Sequence, residues 1–255
     1  MATRRELSRT ATVAQIKQAA LAQIATEGAS ALSIRGVARA IGMSPAGMYR
    51  YYDSRDALLT DLLTDAYQDL ASSVAQAAGL TLAAPGDAEG PADAAPGGSV
   101  LAGSPLAAML RAIEAYRAWA VQGPERFMLI FGTPVPGYAA PEGGPTVTAN
   151  RRMGQVFFTL AALAWREGLI AARPAPRGAQ PTPAEAQVHA ELVAIAPGFP
   201  SALIPVMLSG WALWHGLVTL EITGQLEWIY PDADAYYTDR MTQWLAGFAG
   251  NAVQP

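Results

Sequence analysis

Ser33 to Leu59 reads SIRGVARAIGMSPAGMYRYYDSRDALL, and the punctuation inside it decides the fold. Ser33 is placed to cap a helix through its hydroxyl, and Ile34, Val37, Ala38 and Ile41 recur at the spacing of one buried helical face. Arg35 and Arg39 then point outward. Gly42 follows the last periodic residue, where a left-handed conformation costs least without a Cβ. Ser44-Pro45 starts a second helix, because proline at the first helical position loses no useful donor. That helix carries Ala46, Gly47, Met48, Tyr49, Arg50, Tyr51 and Tyr52. Asp53 and Ser54 then cap a third, in which Leu58, Leu59, Leu62 and Leu63 continue a helical stripe. The stretch reads as two short helices, a tight turn, and the start of a longer helix: a helix-turn-helix.

Small residues first and aromatics later suit a helix lying in a major groove. Its first turn can approach base edges while Tyr and Arg behind it reach phosphates. The order of residues resembles the DNA-binding domain of the TetR/AcrR family of transcriptional regulators. The matching positions are Gly28, Ser33, Arg35, Val37-Ala38, Gly42-Met43-Ser44, Tyr49-Arg50-Tyr51-Tyr52, Arg55 and Leu58. Tyr52 stands where the family usually has Phe, Arg55 where it has Lys, and Asp53 precedes the cap. The candidate DNA contacts are Ser33, Arg35, Ser44, Pro45, Ala46, Met48, Tyr49, Arg50, Tyr51 and Arg55. Arg35 is the candidate for a base edge, and Ser44 and Ala46 for bases or a thymine methyl. Tyr49, Tyr51 and Arg55 are expected on phosphates, as the resemblance implies. With few polar groups before Arg50, part of the specificity is expected to come from DNA shape.

The charge is distributed to match. Residues 1 to 55 hold eight bases against three acids, a net +5, leaving −9 for the remainder of a chain whose total is −4. A basic end on an acidic chain is the footprint of polyanion binding at that end. With no cysteine and only His189 and His215, thiolate catalysis, disulfides and Cys-based zinc are excluded, and a multi-histidine metal site is not expected. There is no Gly-rich phosphate loop, nucleophile elbow or cluster with metal-ligand spacing, so neither an enzyme nor a cofactor is indicated. His215 and Glu221, six apart, do not share a helical face.

Taken in order, residues 1–9 are polar and Arg-rich, lack the apolar core of a secretory signal, and read as a mobile basic arm. Residues 10–54 form the helix-turn-helix domain, and 55–78 a connecting helix. Residues 79–105 are too rich in Gly, Pro and Ala to build a core and read as a linker. Residues 106–255 read as a helical domain, expected to serve effector binding and dimerisation as the resemblance implies. The expected fold is therefore all-α: an N-terminal three-helix DNA-binding domain plus a C-terminal helical one.

Leu192 to Leu220 contains no charged residue, but Pro197, Pro200 and Pro205 interrupt it and no basic anchor flanks it, so a membrane span is not expected. A helix apolar on nearly all sides is suited to burial between subunits. SGWALWHGLVTLEITG resembles the C-terminal domain type named for Trp-His-Gly, here Trp214, His215 and Gly216. The helices near 201–224 and 235–249 are the candidate homodimer interface, as the resemblance implies. Small-molecule sites between helices are mostly apolar with a few polar groups. The candidates to line one are Tyr116, Trp119, Phe127, Phe131, Phe158, Trp165, Trp211, Trp214 and His215.

These readings combine into a cytoplasmic homodimer that places two recognition helices in successive major grooves about 34 Å apart on a pseudo-palindromic operator. A small apolar effector would release it, as from a repressor. The alternatives are a DNA-binding dimer without a ligand and an enzyme carrying a helical DNA-binding domain.

Overall fold

The computed structural model describes residues 3–82, 103–170, 182–196 and 198–249, and among them the chain forms ten α-helices and no strand. The chain divides into two compact units. The first is Met1–Gln68 with Gly123–Asn150; the second is Asp69–Gln122 with Arg151–Pro255.

In the first unit α1 runs from Arg4 to Glu27. The arm expected at 1–9 is thus helical from Arg4 onward. The cause is a capping box, in which Thr3 Oγ1 accepts from Glu6 N and the Glu6 carboxylate accepts from Thr3 N. Gly28 at φ 82° ends the helix, and one 3₁₀ turn, Ala29–Ala31, leads into α2, Ile34–Ala40. Ser33 caps α2 through Gly36 N at 3.2 Å. Gly42 takes φ 68°, and Ser44 caps α3, Pro45–Met48, through Gly47 N at 3.1 Å. This second helix is therefore one turn long, shorter than the span through Tyr52 expected of it. Beyond it, i to i+3 bonds from Arg50 N to Gly47 O and Tyr51 N to Met48 O carry the turn. Ser54 caps α4, Arg55–Ala78, whose first half belongs to this unit.

The core of the unit gathers Ile16, Ala20 and Ile24 of α1, Ile34, Val37 and Ala38 of α2, Met48 of α3, and Leu58, Leu59 and Leu62 of α4. Leu129 joins it from α6, Pro124–Phe131, a helix that lies within the span expected to form the C-terminal domain. The end of α6 and the loop after it dock on α4: Tyr67 Oη donates to Ile130 O of α6 at 3.2 Å, and Thr60 Oγ1 and Tyr138 Oη lie 3.0 Å apart. Thr64 and Thr146 add a buried hydroxyl pair at 3.2 Å. Lys17 bridges Asp65 at 2.6 Å and Asp61 at 2.9 Å, and Tyr52 Oη donates to Asp61 at 2.6 Å, tying α1 and the end of the α3 turn to α4. Burial alone would lower the Lys17 pKa, but the two carboxylates outweigh it and hold the ammonium charged.

In the second unit the end of α4 meets α5, Pro105–Gln122: Trp119 Nε1 donates to Asp69 at 2.8 Å and Arg111 Nε to Ala77 O at 2.9 Å. The rest of α7 (Pro145–Arg166), α8 (Pro183–Ile195), α9 (Ile204–Ile222) and α10 (Ala233–Ala249) complete it. Arg117 forks onto Glu221 at 2.7 and 2.6 Å and also bonds Asp234, joining α5, α9 and α10. Gly210 is required by packing, since a Cβ there would lie 2.1 Å from the Trp244 ring and 2.7 Å from the Trp214 ring. Ser201–Ile222 is long and apolar enough to cross a membrane, with mean hydropathy 1.5. One side of α9 packs within this unit, through Met207, Gly210, Trp214, Val218 and the Arg117–Glu221 fork. Residues 83–102, most of the expected linker, and 171–181 lie outside the described residues.

Candidate nucleic-acid interface

Burying Ile34, Val37, Ala38 and Met48 in the core leaves the other sides of α2 and α3 to water. Arg35, Arg39, Ser44, Pro45, Ala46 and Arg50 are exposed, and Tyr49 is 51 % exposed. Tyr51 is half-buried, with the Arg9 guanidinium 5.2 Å from its ring centroid. Arg9 is thus brought beside the recognition turn by the helical start of α1, a placement the reading of a mobile arm did not provide. The Thr3–Glu6 spacing was the signal that could have found it.

Two expected contacts are placed differently. Met48 is fully buried, because it is the one side chain of α3 facing the core, and it cannot reach a base. Arg55, expected on a phosphate, is folded back: Nε donates to Leu32 O at 2.9 Å, and one terminal nitrogen donates to Ala29 O and Ser30 O, each at 3.2 Å. Its other terminal nitrogen stands 3.5 Å from Asp56. Ser33 is half-buried and its hydroxyl is engaged in the α2 cap.

The effector candidates divide between the units. Phe127 and Phe131 belong to the first, 5.1 Å apart, with Phe131 edge-on to Tyr67. In the second, Tyr116 Oη lies 2.8 Å from His215 Nδ1, and Trp211 stacks on His215 at 4.9 Å. Trp211 also meets Trp214, which stacks on Phe157 at 5.4 Å. Phe157, next to the expected Phe158, is thus the ring that joins this cluster, while Phe158 packs on Phe199. Trp119 is buried on Asp69, and Trp165 is 38 % exposed. Burial lowers the His215 pKa, favouring the neutral ring. Glu221 pairs with Arg117, and His215 with Tyr116. Among the described residues no group of three His, Cys, Asp or Glu side chains is placed to hold a metal.

The first unit thus holds a helix-turn-helix and the second is all-helical, the architecture expected of a helix-turn-helix regulator. Comparison with known proteins narrows it. Residues 16–62 match the profile of the bacterial regulatory proteins of the tetR family, and residues 109–243 match that of the Tetracyclin repressor-like C-terminal domain. The second match carries that general description and not the narrower Trp-His-Gly one. The chain is 31 % identical to the regulatory protein SCO4313, whose crystal structure superposes with a TM-score of 0.67 over 96 % of this chain and 100 % of that one. The TetR family transcriptional regulator PfmR from Thermus thermophilus, 14 % identical, shares the fold with a TM-score of 0.55 over 91 % of this chain and 97 % of its own. The HTH-type transcriptional regulator Rv1816 of Mycobacterium tuberculosis is 38 % identical over 149 residues, 58 % of this chain. The match spans 56 % of that relative's length, a little over half. The chain belongs to the TetR family of bacterial regulatory proteins.

Proposed function

We propose that this chain is a dimeric transcriptional repressor that reads a pseudo-palindromic operator through α2 and α3 and is released by a small, largely apolar effector. The observation that carries the reading is the exposed set Arg35 on α2, Ala46 on α3, and Ser44, Tyr49 and Arg50 flanking α3, on two short helices whose opposite sides are locked into one core. A second copy is the natural cover for α9. Only 28 % of its most apolar window is buried, Leu208 is 65 % exposed, and among the described residues nothing beyond the backbone of its own helix and its chain neighbours stands within 4 Å of a Cβ placed at Gly216. Trp214 Nε1 is buried with no hydrogen-bond partner among the described residues, and its ring meets Trp211, which stacks on His215; a free buried donor suits a ligand bearing an acceptor.

Release follows from connectivity. α4 belongs to the first unit up to Gln68 and to the second from Asp69, so a ligand favouring one position of Asp69–Ala78 biases Arg55–Gln68. It acts only through different affinities for the two arrangements. Selection of duplexes by the purified protein from a random library tests the operator half of the proposal. Two inverted half-sites with centres about 34 Å apart are expected. Recovery of an unpaired motif, or of no motif, would overturn it.

A further inference from the structure

We propose that Arg55 is a positioning residue for the DNA-reading helices, acting with Gln23 as a clasp on the turn that leads into α2, and not a phosphate grip. The inference rests on the DNA-binding reading above. From α4, Arg55 takes the carbonyls of Ala29, Ser30 and Leu32. From α1, Gln23 Nε2 donates to Ala31 O at 3.2 Å, and Gln23 Oε1 accepts from Ser33 N at 3.2 Å. Four successive carbonyls and the next amide are thus held by two side chains. Gly36 is part of the fit: a Cβ there would lie 2.9 Å from Gln23 Nε2 and displace the amide.

The clasp ends on Ser33, the residue that caps α2, two positions before Arg35. It therefore sets the start and direction of the helix carrying the candidate base contact. The task suits a guanidinium, whose planar fork directs several donors at once, and not an ammonium, a compact point charge. With Nε and one terminal nitrogen on carbonyls, three of the five donors are taken up by the protein, and only the other terminal nitrogen, 3.5 Å from Asp56, is left to face a phosphate.

A phosphate grip and a clasp differ in two readouts. Losing a phosphate contact weakens all DNA alike and lowers the slope of log affinity against log salt by about 0.9. Losing the clasp blurs the placement of α2, which lowers the preference for the right sequence and leaves the slope in place. The probes are the duplex that the wild-type protein itself selects and a random duplex, compared by fluorescence anisotropy over a range of salt. Arg55→Ala and Gln23→Ala are each expected to reduce selectivity about tenfold, the scale of one misread base pair, with the wild-type slope. Gln23 is uncharged, so a shared phenotype identifies the clasp. Arg55→Lys, which keeps the charge, is expected to behave like Arg55→Ala and decides the matter if the alanine variant does not fold. Wild-type selectivity in Arg55→Lys, or a slope lowered by about one with selectivity kept in Arg55→Ala, overturns the clasp while leaving DNA binding intact. Equal affinity of the wild-type protein for all duplexes overturns the DNA-binding reading and the clasp with it.

Discussion

Arg35 and His215 carry the most direct expectations at the scale of single residues. Arg35 is exposed on α2 and fixed by the Ser33 cap. Arg35→Ala is expected to cost about 1–3 kcal/mol on the operator and to relax one base position, while Tyr49→Ala weakens every sequence alike. Competition with singly substituted duplexes separates the two patterns, and a uniform loss from Arg35→Ala would remove it from base reading. For His215, burial lowers the folded-state pKa below the ordinary 6.5. The unfolded chain then takes up a proton before the folded one does, so this residue's contribution is complete above about pH 6.5 and is lost as the pH falls toward the depressed value. Thermal melts between pH 8 and about pH 5 should show wild-type stability falling faster than that of His215→Gln, once the fall common to both is subtracted. Parallel curves would mean that His215 protonates equally in both states.

Among the elements, α9 holds two glycines with opposite predicted effects. Gly210 faces the Trp244 and Trp214 rings, and Gly210→Ala should destabilise the second unit by about 1–3 kcal/mol through overpacking, read as a lower melting temperature. Gly216 faces open space among the described residues, and in the monomer its replacement by Ala should be neutral or gain up to about 1 kcal/mol in helix propensity. If a second copy covers that face, Gly216→Ala weakens self-association in sedimentation equilibrium. Unchanged association would place the interface elsewhere. The helices themselves were legible because their ends carry local signals, such as Gly28, Gly42, Ser44-Pro45 and Ser54, and such signals act within one turn. The ownership of α6 was not legible. Its place in the first unit depends on Leu129 reaching the α1–α4 core and on Tyr138 and Tyr67 bonding across more than sixty residues, for which no periodicity exists.

On the scale of the whole molecule, the same contrast separates what the DNA-binding assignment could foresee from what it could not. Net charge, the exposed Arg residues and the capped short helices are properties of composition and spacing. The inward turn of Met48 and the folding back of Arg55 depend on which side of a one-turn helix meets the core and on which carbonyls a neighbouring turn brings within reach of the guanidinium. A site residue's type is legible in the sequence, whereas its commitment to solvent or to the protein is settled by packing. The central claim, a site-specific DNA-binding regulator, is tested most directly by anisotropy of the full chain on the duplex upstream of its own gene and on random duplex, at two salt concentrations. The account predicts a salt-dependent complex at least about a thousandfold tighter on the upstream duplex. Equal, weak binding to both, together with failure to select any duplex from a random library, would contradict it.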